Sequence, residues 1–185
     1  MAYEKLKQDI EKEIRKNMKH KFEHDDIFKN HMIPVMNYSS KLAKIYKADK
    51  DVVELAALLH DIAYTQTKEN ENHEIIGAEI AERMLKGKVP NEKIELIKKC
   101  IMHHRGAKNY KRETKEEQIV ACADAMSHID NSLIFMYLWG ASHKGLEPAQ
   151  KWLKEKIQRG WKKITLPEGR KMVKDKYEAI MLLLN

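Results

Sequence analysis

Apolar residues recur every three to four positions through most of this chain, which is the period of one face of an α-helix. Leu6, Ile10, Ile14 and Met18 form such a stripe and predict an amphipathic helix from about Tyr3 to Phe22. A second helix is expected to begin after Asp25 or Asp26, which suit the capping position, and to run to about Tyr46 with a bend at Pro34. From Asp51 to Tyr64 the stripe widens into an almost unbroken apolar surface: Val52, Val53, Leu55, Ala56, Ala57, Leu58, Leu59, Ile62 and Ala63. A helix that is apolar all round belongs at the centre of a domain. The mixed pattern then returns in a fourth helix, about Asn72 to Lys86, and in a fifth that starts after Pro90 with Asn91 as cap and reaches about His103. Thr114 and Glu117 have capping-box spacing and open a sixth helix carrying Val120 through about Trp139. Thr165, Pro167 and Glu168 mark one more start, so the tail reads as two helices, roughly Glu147 to Lys163 and Leu166 to Leu184.

Seven glycines and four prolines in 185 residues leave little turn chemistry for a sheet, so the fold class is all-α, a bundle of about seven to eight helices. No repeat, low-complexity tract or linker divides the chain, and residues 1–185 are expected to form one domain around a core that 43% apolar residues can fill. Cys100 and Cys122 sit in apolar stretches without a second cysteine at zinc-ligand spacing, which suggests buried thiols in a reducing compartment. The first residues lack the hydrophobic run of a signal peptide, and no apolar run has membrane-spanning length; a cytoplasmic protein with no membrane partner is expected. The net charge of +7 comes from lysines interleaved with glutamates, the pattern of solvated helix faces. Nucleic acid is not the expected partner, since no basic stripe with interleaved aromatics is evident.

Candidate chemistry stands out as ionisable residues in apolar surroundings. His60-Asp61 ends the most apolar helix, where a carboxylate needs a cation beside it. His31 shares a face with Val35 and Leu42, and Asp124 interrupts Val120-Ala121-Cys122-Ala123-Asp124-Ala125-Met126. Two imidazoles and two carboxylates from three helices suit iron, manganese, cobalt, nickel or zinc, whereas calcium and magnesium would prefer more oxygen.

His31, His60-Asp61 and Asp124 together resemble the H…HD…D signature of the HD superfamily of metal-dependent phosphohydrolases, over about residues 26–130. The flanks agree: Leu55-Ala56-Ala57-Leu58-Leu59-His60-Asp61-Ile62 is similar to the family's apolar run into the pair, and Ala123-Asp124-Ala125 to the setting of its last aspartate. The resemblance implies an HD-type helical bundle in which His31, His60, Asp61 and Asp124 bind one divalent ion, with residues 131–185 packing on that core. Family members with two metals carry further histidines between the pair and the last aspartate, as His73, His103 and His104 stand here. Helical position favours His73 and His104 as ligands of a second ion bridged by Asp61, with His103 rotated away by one position; the alternative is that they bind substrate phosphate. Ile62-Ala63-Tyr64 follows the pair in place of the Gly-Tyr-Pro of cyclic dinucleotide phosphodiesterases, so that activity is not implied.

In this reading His60 and Asp61 are catalytic, with Asp61 orienting a water that the metal activates. Arg105, Lys68 and Lys111, with Lys108 and Arg112, are candidates to receive phosphate, and His128, one turn after Asp124, is a candidate substrate-binding group. His20, His24 and His143 read as surface residues. Met136, Tyr137, Trp139, Trp152, Trp161, Tyr177 and Met181 read as packing of the carboxyl-terminal helices, which either cover the open end of the site or pair two subunits as a homodimer. The leading expectation is a phosphomonoesterase or phosphodiesterase acting on a nucleotide or related phosphorylated metabolite. A silent metal- and nucleotide-binding sensor and a nucleic-acid-associated basic protein are the alternatives.

Overall fold

A computed structural model describes residues 3–21, 27–66, 71–105, 108, 110–143 and 145–185, without the side chains of 18–21 and 138–143. Asp25 and Asp26, the expected caps, therefore lie outside the described residues. Those residues form α1 (Glu4–Lys21), α2 (Ile33–Tyr46), α3 (Lys50–Leu59), α4 (His73–Leu85), α5 (Asn91–His103), α6 (Lys115–Asp130), α7 (Ser132–His143), α8 (Leu146–Lys163) and α9 (Pro167–Leu183), with no strand among them. The fold is all-α, with one more helix than expected because the sixth predicted helix breaks at Asn131 into α6 and α7.

The expected long helix around Pro34 is continuous over residues 27–46, and its irregularity lies just before the proline. A wide π-helical turn, Phe28–Met32, precedes it, and the Ile33 N–H reaches back five residues to the Phe28 carbonyl. Pro34 then falls in the first turn of α2, where its missing N–H costs little.

The third helix is shorter than its apolar run. It starts where Asp49 accepts hydrogen bonds from the N–H groups of Asp51 (3.1 Å) and Val52 (3.2 Å), and it stops at Leu59. Asp61 leaves the helical conformation (φ −109°, ψ 20°), and Ile62–Thr65 continue as a 3-10 turn. The exit from the helix at His60-Asp61 turns both side chains toward the neighbouring helices.

One expected cap is corrected: Asn91 is the first residue of α5, after Pro90. The last helix, α9, starts from Leu166 as expected, without a side-chain cap. Thr114 caps α6 as expected, accepting from the Glu117 N–H at 3.2 Å. The Glu117 carboxylate accepts from the Thr114 hydroxyl (3.1 Å).

The core is built on α3 and α6. Val52, Val53 and Leu55 to Leu59 are buried, as are Ile119 to Ser127, and α3 packs among α2, α5 and α6. On its other sides α6 meets α8 and α9, so the carboxyl-terminal helices lie over the same central helix. Cys100 and Cys122 are buried free thiols. Among the described residues no helix is long and apolar enough to cross a membrane.

Candidate metal centre

Four side chains from three parts of the fold gather around His31 Nε2. His31 Nε2 lies 3.1 Å from His60 Nε2, 3.3 Å from Asp61 Oδ2 and 3.4 Å from Asp124 Oδ1. His60 Nε2 lies 3.3 Å from Asp61 Oδ2 and 3.9 Å from Asp124 Oδ1. Atoms about 2.1 Å from a shared ion stand roughly 3 to 3.4 Å from one another. The π-turn supplies His31, the end of α3 His60 and Asp61, and α6 Asp124.

Hydrogen bonds on the far sides of the rings decide what those atoms are. The Nδ1–H of His60 donates to the Ala57 carbonyl (2.8 Å). His31 Nδ1 donates to the Ser127 hydroxyl (2.6 Å), which itself donates to the Asp124 carbonyl (3.1 Å). With both imidazoles neutral, each aims an Nε2 lone pair at the other and at two carboxylate oxygens. A cation relieves that opposition, so the donor set fits a divalent ion. With protons alone, burial opposes a charged His60 but Asp61 and Asp124 outweigh it, raising its pKa to about 9. Burial works against both carboxylates too, yet His60 and His31 hold Asp61 well below the usual range, and Lys163, His128 and His31 do the same for Asp124.

A second group of donors shares Asp61. Its Oδ1 lies 3.6 Å from His104 Nε2 and 3.9 Å from His73 Nε2, while its Oδ2 faces His31 and His60. His104 Nδ1 donates to the Ile101 carbonyl (2.5 Å), which leaves its Nε2 as a lone pair toward the carboxylate. Burial and repulsion from His60 depress the His104 pKa to about 4 and keep it neutral. His73 Nδ1 is 3.2 Å from the Tyr64 hydroxyl. Asp61, His73 and His104 could hold a second ion beside the first.

The remaining candidates divide. His103 is turned away, its Nδ1–H donating to Glu117 (2.5 Å) and its ring stacked on Tyr110, so it does not join either group. His128 stacks on His31 with ring centres 4.7 Å apart and places Nδ1 3.7 Å from Asp124 Oδ1, within reach of the site. Arg105 reaches the site but is anchored by the buried Glu74 (3.2 Å) and the Glu71 carbonyl. Lys108 also binds Glu74 (2.5 Å), and Arg112 donates to the carbonyls of His103 (2.8 Å) and Arg105 (3.3 Å), which makes it a brace of its own loop. Lys111 is 87% exposed beside Glu113 and lies apart from the site. Lys68 lies outside the described residues, as do His24 and the side chains of His20 and His143.

The site opens into a cavity of about 420 Å³ lined by Asp61, Tyr64, His73, His104, Arg105 and Asp124 on one side. On the other stands a wall that the sequence reading missed: Trp152, Lys156, Arg159, Gly160 and Lys163, all from α8. The spacing of Trp152, Lys156, Arg159 and Lys163 places them on one helical face, but lysines at 151, 154 and 162 hide the pattern. Trp152 thus lines the site as well as packing against the core, whereas Tyr137 is exposed and Trp161 stacks on Tyr177 (4.2 Å) as expected. Lys163 binds Asp124 and donates to the His104 carbonyl (3.0 Å), so α8 does cover the open end. Glu74 was also missed; burial opposes its charge, but Lys108, Tyr110 and Arg105 hold its pKa at about 2.

Comparison with known proteins bears on these groups. Residues 28–129, more than half of the chain, match the model of the HD domain family. Among curated proteins, the tRNA (cytidine(56)-2'-O)-methyltransferase of Picrophilus torridus is 35% identical over 120 residues, which covers 57% of this chain and 33% of that protein. The chain therefore spans about a third of the length of the curated relative it matches. No solved structure matches it.

Proposed function

Because this chain belongs to the HD domain family, we propose that it is a metal-dependent phosphohydrolase that cleaves the phosphate ester of a nucleotide or related metabolite. The observation that carries this reading is the approach of the Nε2 atoms of His31 and His60, 3.1 Å apart and flanked by Asp61 and Asp124. Those four residues, gathered around His31 Nε2, would hold one ion, and Asp61, His73 and His104 a second. A divalent ion bound there supplies Lewis acidity, which lowers the pKa of water toward neutrality and offsets phosphoryl charge.

The chain's own groups supply the rest. Asp61 faces both donor groups with its two oxygens, and one of them can accept a hydrogen bond from water and orient it toward the cavity. Lys163 limits the negative charge that Asp124 presents to an incoming anion. His128 and Lys156 line the cavity and can donate to phosphoryl oxygens. The methyl transfer in the relative's name is not assigned to this chain, which covers only a third of that protein and whose clustered donors could hold a metal ion.

The test is elemental analysis of the purified protein. We expect one to two equivalents of a transition metal, and loss of most of it in the His60→Ala/Asp61→Ala variant. Metal retained by that variant would place the site elsewhere. Metal-loaded protein that hydrolyses no nucleoside mono-, di- or triphosphate and no aryl phosphate would leave a nucleotide sensor in place of the hydrolase.

A further inference from the structure

The carboxyl-terminal helices divide their roles. While α8 walls the cavity, α7 turns one side to the metal centre through Phe135, whose ring meets those of His31 (5.6 Å) and His128 (4.7 Å). Leu133 and Tyr137, two positions before and after it, stand on the far side of the same helix and are 67% and 64% exposed. From Leu133 to Tyr137 every residue is apolar, the pattern of a helix that needs cover all round. Among the described residues α7 packs chiefly on α8, so that cover is incomplete.

A groove runs beside the exposed side of α7. Ile129, Leu133 and Ile134 form one wall and Ala179, Ile180 and Leu183 of α9 the other, around about 400 Å³. Leu182 and Leu183 follow Ala179 by three and four positions, share its face, and are 78% and 76% exposed. The charges nearby on α9 are matched within the chain, since Lys176 binds Asp130 at the rim of the groove and Lys174 lies 3.7 Å from Glu178. A surface with its charges matched and its leucines exposed suits a partner as apolar as itself. Leu133, Tyr137, Leu182 and Leu183 together expose on the order of 500 Å². Two copies that covered each other there would remove about 1,000 Å² from water before the groove walls are counted, the area a specific interface must reach. Ridge and groove lie side by side, so a two-fold axis can seat each copy's ridge against the other's groove.

We propose that the protein is a homodimer whose copies pair through this face of α7 and α9. None of the four exposed residues lines the cavity. Pairing therefore presses on the outer side of the helix whose inner side carries Phe135, and braces the metal centre without adding a residue to it.

The test is sedimentation equilibrium of the purified full chain over a range of concentrations. A monomer–dimer equilibrium that saturates at two copies is expected. Leu133→Glu and Leu183→Glu should each raise the dimer dissociation constant about a hundredfold, because a carboxylate buried against the partner's leucines has no counter-charge. Leu146→Glu, at an exposed leucine that does not line the groove, should leave it unchanged. Circular dichroism checks that all three variants, altered only at exposed positions, keep their helices. A chain that stays monomeric at every concentration overturns the proposal and leaves the face to another occupant. Growth beyond two copies, or equal weakening by all three variants, overturns it as well, since either marks association without a two-fold interface. The altered positions do not touch the metal centre, so the outcome stands apart from the hydrolase reading.

Discussion

Two regions bring positive charge to the same cavity, and they hold it in different ways. The segment after α5 carries Arg105 and Lys108, both tied to Glu74, with side chains 24% and 38% exposed. On α8, Lys163 is 7% exposed and bound to an equally buried Asp124, while Lys156 has rings for neighbours. Solvent can therefore compensate the first region for a lost carboxylate much better than the second. The loop is a fixed bracket whose cations are already matched, and α8 is the side with charge to offer a ligand.

Removal of the carboxylate in each region sharpens this contrast. Asp124→Ala should have the larger effect, since it leaves Lys163 buried with only the His104 carbonyl. We expect a loss of about 4 kcal/mol in the unfolding free energy of the metal-free protein, the range for breaking a buried pair. A loss below about 1 kcal/mol by denaturant titration would mean that Lys163 escapes to water and that the two regions are alike.

Glu74→Gln should cost less, about 2 kcal/mol at pH 7, because Arg105 and Lys108 regain solvent. Its pH dependence carries a sign. Folding lowers the Glu74 pKa from 4.5 to about 2, so its charge contributes stability that is complete above about pH 4.5 and fades as the pH falls through about 2. The difference between native chain and variant should shrink across that window. A difference that stays constant with pH would show that the carboxylate's shape, not its charge, holds the loop.

The same contrast explains what could be read from the amino acids alone. His31, His60, Asp61 and Asp124 were legible because each is polar among apolar neighbours, where an unpartnered charge is too costly to be accidental. His104 was separable from His103 by helical position, and the structure sends His103 to Glu117. The α8 wall was not legible: Lys156 and Lys163 differ from Lys151 and Lys154 only in the face they share with Trp152, and that face acquires meaning when α8 packs on α6. Glu74 reads as an ordinary acidic residue of a first helical turn until the loop closes over it. The break between α6 and α7 has no glycine or proline to announce it, and it comes at Asn131, where the α6 carbonyl ladder ends on the Ser127 oxygen.

The smallest expected effect concerns how α8 is held where it is. If the Lys163–Asp124 pair alone set its position, the glycine at the crossing would be incidental; if close packing did, any added atom would push the helices apart. A Cβ built on Gly160 would stand 3.8 Å from both the Cβ and the carbonyl oxygen of Ala125, an ordinary contact distance. By comparison, a Cβ on Gly169 would come within 3.2 Å of Ile164 Cγ2 and Met126 Sδ, so α9 is the tighter crossing of α6. Gly160→Ala should therefore keep the helix spacing and gain helix propensity, raising the unfolding free energy by about 0.5 to 1 kcal/mol. For a chain of this length that corresponds to a rise of roughly 1 to 4 °C in thermal midpoint. A fall in midpoint would show that α8 approaches α6 more closely than 3.8 Å allows and that packing, not the ion pair, fixes the wall of the cavity.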